Sequence, residues 1–211
     1  AATVVDGGGS MCCAYMGDNV GDNAVFLYGL TLQNGNSASG GGCKGGSLEN
    51  CVLAENKGSF GGGACDSTLT KCVISNNWAS AGGGAAGSAR GSIPSCVLED
   101  CLVVTNRADS FGGGLFRCSA TGCEIRGNQA YRGGGAAGDE IRWTWPRNCV
   151  LTDCVLTNNG AVDGGGGADL CSLSDCRVVQ NTAQRGGGIM DCAADRCVLV
   201  SNRAFPFDAG M

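Results

Sequence analysis

The chain has 211 residues, among them 39 Gly, 16 Cys and no His, with a net charge of −5 and 43% hydrophobic residues. Three Pro and the lack of a Gly-X-Y period exclude a collagen-like chain, and the apolar content is too high for a disordered glycine-rich segment. The acidic balance, without any Lys/Arg run, argues against nucleic acid or an anionic membrane surface as a partner, and no apolar run reaches the ~20 residues of a membrane-spanning helix.

The opening Ala1-Ala-Thr-Val-Val5 suits a chain whose signal peptide has been removed. Gly7 to Gly9 and the adjacent Cys12 and Cys13 follow. Val25-Phe-Leu-Tyr-Gly-Leu30-Thr-Leu32 has the length of a strand and runs into Asn-Gly turn chemistry at Asn34-Gly-Asn36.

From there a unit recurs. It is clearest at Cys123-Glu-Ile125-Arg-Gly-Asn128-Gln-Ala130-Tyr-Arg-Gly133-Gly-Gly135: a Cys, an apolar residue two places on, Asn at five, a small residue at seven, then a Gly triplet. The unit Cys falls at 51, 72, 101, 123, 154, 176 and 197, in steps of 21, 29, 22, 31, 22 and 21 residues. The basic coil is therefore 21 to 22 residues, with insertions at 85–96 and 136–149 and a superposed period of 51 to 53 residues. Units of this size cannot bury an apolar face alone, so they stack into one elongated domain spanning residues 1–211.

Two places after the Cys, the series Leu53, Ile74, Val103, Ile125, Leu156, Val178, Leu199 is always apolar, whereas one place after it Glu124 and Arg177 intrude. This alternation is that of a strand with Cys and the second residue facing inward. The Asn at five is expected to take the left-handed conformation at a corner and to hydrogen-bond to its equivalents along the stack. The Gly triplets make another corner. Three short strands and three corners per coil predict an all-β fold, a right-handed single-stranded parallel β-helix of about eight coils.

The pairing of Gly-Gly-Gly-Ala (61–64, 82–85, 133–136) with an apolar-x-x-Asn such as Val103-Val-Thr-Asn106 resembles the parallel β-helix repeats of bacterial surface proteins. It is similar to the passenger repeats of polymorphic outer-membrane proteins. The resemblance implies a surface-exposed stalk or adhesin segment. The chain departs from the family pattern in having Val, Ile or Leu where those repeats carry Phe, and in its density of Cys.

Matched Cys spacings in a chain without His point to an oxidising compartment, so the chain is read as secreted or displayed at the cell surface. A second Cys precedes each unit Cys at short range. Seven local pairs result: Cys43 with Cys51, Cys65 with Cys72, Cys96 with Cys101, Cys118 with Cys123, Cys149 with Cys154, Cys171 with Cys176 and Cys192 with Cys197. Each is a candidate disulfide clamping a corner; a thiolate metal set and a ladder of buried thiols are the alternatives.

The second insertion groups Asp139, Glu140, Arg142, Trp143 and Trp145, a candidate glycan-binding lip in which indoles stack on sugar faces. The alternative is an insertion folded over the rod, with its Trp side chains as cover. Other acids are scattered, and Asp100, Asp153 and Asp175 recur at the corner before the unit Cys, as turn formers do. With no His and no Ser or Cys beside a base, the chain is not expected to be an enzyme, and neither a cofactor nor a metal site is read from it; a polysaccharide-binding or polysaccharide-cleaving β-helix is the competing function.

Self-association is the remaining expectation. The last residues begin a new unit and the first ones continue a glycine corner, so laid end to end the two would complete a coil, burying Val5, Phe205 and Phe207. Cys12 and Cys13, left over from the local pairs, are candidates for cross-links between subunits.

Overall fold

A computed structural model describes residues 3–17, 25–88, 95–139 and 148–205. They contain no helix, and so none long and apolar enough to cross a membrane. Every strand lies in one of four sheets, one of nine strands and three of eight, and all pairing is parallel, each strand lying between its equivalents in the coils before and after. The chain is a parallel β-helix, as its periodicity requires.

The coil has four sides rather than three. Starting at Cys51, it runs through Val52–Ala54 in the first sheet, Lys57–Phe60 in the second, Ala64–Cys65 in the third and Thr68–Thr70 in the fourth. Each side ends in one residue in the left-handed region: Glu55, Gly61, Asp66 and Lys71, with φ of 59°, 63°, 51° and 51°. The third side escapes sequence reading because its strand has only two residues and directly follows the glycines.

The Asn at five is not the corner residue. The left-handed residue is the one before it, at Glu55, Asn76, Thr105, Asn158 and Gln180, and this step turns the Asn side chain into the core. Asp100, Asp153 and Asp175 do occupy left-handed corners, as expected of repeated turn formers.

Inside, equivalent residues stack in rows. Leu53, Ile74, Val103, Ile125, Leu156 and Val178 are fully buried along the first sheet, and Leu48, Leu69, Leu98, Leu151 and Leu173 along the fourth. The small residues at seven, such as Ala79 and Ala183, are buried too.

The Asn column is fully hydrogen-bonded. Asn77 Nδ2 donates forward to Asn106 Oδ1 at 3.0 Å and back to Leu53 O at 2.9 Å, and the same Oδ1 accepts Asn77 N at 3.0 Å. Each Asn thus ties three coils, and the pattern repeats from Asn56 to Asn202. Buried amides would otherwise be costly, so this column fixes the coil register.

The last glycine of each triplet lies against this column, and the middle one is walled in by backbone of the next coil. A Cβ on Gly113 would come within 2.4 Å of the carbonyl oxygens of Gln129 and Gly134 in the next coil. No side chain fits there.

The insertions are shorter than expected from sequence. Ala85–Ala86 and Ala136–Ala137 are regular third-sheet strands paired with Leu115–Phe116, and Cys96 pairs with Cys118, so the extra residues enter after Gly87 and after Gly138. Their necks are pinched. Asp66 accepts hydrogen bonds from Ser88 and Ser95 at the two ends of the first insertion, and Asp139 N donates to Asn148 Oδ1 at 3.0 Å across the second. These necks lie along the outer face of the third sheet, where Ala86, Phe116 and Ala137 form a second, smaller buried cluster.

Candidate functional site

The outer face of the second sheet carries open grooves among the described residues. Because the residue at seven faces inward, those at six and eight face solvent, and successive coils align them. At six stand Lys57, Trp78, Arg107 and Gln129, and register pairs Trp78 with both Lys57 and Arg107. At eight stand Asp109, Tyr131 and Val162. Of these, Arg107, Asp109, Gln129, Tyr131 and Val162 line a groove of about 380 Å³, while Lys57 and Trp78 line a neighbouring one of about 390 Å³.

Trp78 is 41% exposed and Tyr131 50% exposed. The indole Nε1 donates to Asp109 Oδ1 at 3.1 Å, which fixes the ring at the groove's edge. At the next coil Arg185 grips Asp163 through two hydrogen bonds of 2.9 and 2.6 Å, and this pairing raises the Arg185 pKa. Flat aromatic faces beside amide, carboxylate and guanidinium groups can stack on a ring and hydrogen-bond its hydroxyls. Sequence reading missed these residues. The signal was available in the inward assignment of position seven, from which six and eight follow by alternation.

Of the lip residues, Asp139 forms an ion pair with Arg117, whose guanidinium lies 4.6 Å from the centre of the Phe116 ring. Asp139 thereby braces the neck of its insertion. Glu140, Arg142, Trp143 and Trp145 lie outside the described residues.

Asp66 sits in a tight cage. Burial works to raise its pKa, but hydrogen bonds from Ser88 and Ser95, together with Lys44 Nζ at 3.2 Å, outweigh this and hold the carboxyl below its usual range. Asp169, completely buried, pairs with Arg132 at 2.8 Å. Both acids serve the fold.

All sixteen cysteines carry free thiols, so none of the seven local pairs is bridged in the structure. Cys118 and Thr121 are the ends of one strand, which extends about 10 Å, and Cys123 lies beyond the following corner at Gly122. Instead the unit Cys form a column from Cys51 to Cys197, and Cys96, Cys118, Cys149, Cys171 and Cys192 form a second. Cys101 N donates to Cys123 Sγ at 3.4 Å and Cys171 N to Cys192 Sγ at 3.3 Å. Hydrogen bonds between neighbouring sulfurs split their proton affinities: the bond with Cys123 pushes Cys101 and Cys154 up, while the bonds from these two draw Cys123 down. Cys43 is fully buried and is pushed up to about 12 by burial. Among the described residues no group of three or more Cys, Asp or Glu is gathered to hold a metal ion.

At the ends, Val5 and Cys13 pack against the first coil's core while Phe205 is 41% exposed under Arg203. Cys12 is half-buried, its thiol directed to Gly40 O at 3.0 Å. Phe207 lies outside the described residues.

No family model, curated protein or solved structure matches this chain.

Proposed function

We propose that the chain is a segment of an extracellular structural rod, of the surface-passenger kind its repeats resemble, whose coils stack end to end with those of a second copy. One observation carries this reading. In the row that is fully buried from Leu53 to Val178, every coil covers its apolar residue and strand edge with the coils beside it, so coils of this kind are built to stack against further coils. The Asn column supports it, because Asn202 directs its side-chain amide back to Val178 O at 2.8 Å as Asn181 does to Leu156 O, a pattern that can continue through further coils. The dense Cys and the absence of His support the extracellular assignment.

Sedimentation velocity over a concentration series tests the reading. The wild-type chain associates as concentration rises and Leu199→Asp does not; equal behaviour of the two, associating or monomeric, contradicts it.

The groove on the second sheet favours a second reading, recognition of surface glycans by Trp78, Arg107, Asp109, Gln129 and Tyr131. The two are compatible, since a rod of aligned coils presents such a face along its length.

A further inference from the structure

The two thiol columns carry an inference beyond the rod reading. Cys96 and Cys118 are direct partners on adjacent parallel strands, and the other members of each column stand in the same relation through the registers of their coils. Adjacent strands lie about 4.8 Å apart, which falls inside the roughly 4.4–6.8 Å Cα separation that a disulfide spans, whereas the two cysteines of one coil are separated by a whole strand of about 10 Å. The sulfurs already lean on the neighbouring coil, with Cys72 N donating to Cys101 Sγ and Cys101 N to Cys123 Sγ, each at 3.4 Å.

We infer that these cysteines oxidise along the columns, joining successive coils as in Cys96 to Cys118 and Cys101 to Cys123. The oxidant is an external disulfide such as oxidised glutathione. One cysteine thiolate attacks it, forming a mixed disulfide and releasing one reduced thiol. The thiolate of the neighbouring coil then attacks the protein sulfur of that mixed disulfide and expels the second glutathione thiolate, and the two protons given up by the cysteines end on the two glutathione sulfurs.

Burial of Cys96 and Cys118 in the finished solenoid places this exchange during folding. A coil docking on the open end sets its thiol beside that of the coil beneath before the next coil covers both. The columns hold seven and five cysteines, so at full oxidation each leaves one thiol unpaired.

Tryptic cleavage separates the alternatives. Cys96 and Cys101 share the peptide 91–107, while Cys118 and Cys123 share the peptide 118–126. The chain is refolded in a buffer of oxidised and reduced glutathione, alkylated, digested without reductant and analysed by mass spectrometry. The two peptides are expected as one covalent species that separates on reduction. Two separate peptides, each closed by its own internal bridge or each fully alkylated, would overturn the inference.

Discussion

Trp78 and Asp109 stand one coil apart on the same outer face, and the indole Nε1 donates to the carboxylate Oδ1 at 3.1 Å. The bond holds the ring beside the groove that Tyr131 borders. If this face binds glycan, Trp78→Ala and Tyr131→Ala each weaken retardation in a polysaccharide affinity gel by about 1 kcal/mol, roughly fivefold. Replacing Trp143 and Trp145 together serves as the comparison. Loss of retardation only in that double variant moves the site to the second insertion.

The Asn column makes a sharp stability prediction. Asn106→Ala removes the acceptor of Asn77 N and Nδ2 and the donor to Ile74 O, leaving buried groups without partners at about 1–3 kcal/mol each. Urea unfolding should show a loss above about 3 kcal/mol. The same change at Asn202, in a half-buried position where water reaches the freed groups, should cost clearly less.

Asp66→Asn probes the neck of the first insertion. The carboxyl pKa is lowered in the folded chain, so its stabilisation is full above the unfolded value of about 3.9 and is lost as pH falls through the folded value. Urea melts at pH 7 should place the variant about 1–3 kcal/mol below wild type, with the gap closing progressively in melts taken below pH ~4. A pH-independent gap would show that shape rather than charge holds the neck.

Two glycines should respond in opposite ways. Gly113→Ala drives a methyl into the carbonyls of Gln129 and Gly134 and should cost about 2–3 kcal/mol or prevent folding. At Gly127 a Cβ meets only Thr105 Cγ2 at 3.7 Å, and equivalent corners hold Asn158 and Gln180 at similar φ, so Gly127→Asn should change stability by less than about 1 kcal/mol. Thermal melts of the two variants compare them directly.

The parts of the fold legible in the sequence are those in which one residue type has one structural cause. Buried rows demand an apolar residue two places after every Cys, and the Asn column admits no other side chain with donor and acceptor in that geometry. The four-sided coil was hidden because its left-handed corners accept Glu55, Lys71, Thr105, Arg117 or Leu170, residues with no common chemistry. The alignment of cysteines between coils was hidden for a related reason. A step of five residues from Cys118 to Cys123 suggests proximity, yet an extended strand carries them apart while a step of 22 residues brings Cys96 and Cys118 into register. The groove was hidden in the same way, since Trp78, Arg107 and Gln129 are distant in sequence and become neighbours only through coil register.

Electron microscopy of the concentrated chain reads end-to-end stacking most directly. The rod proposal predicts unbranched filaments with an axial repeat of about 40 Å, the height of one solenoid at the spacing of parallel strands, and their loss in Leu199→Asp. Single, dispersed particles of one solenoid's length at every concentration would contradict it.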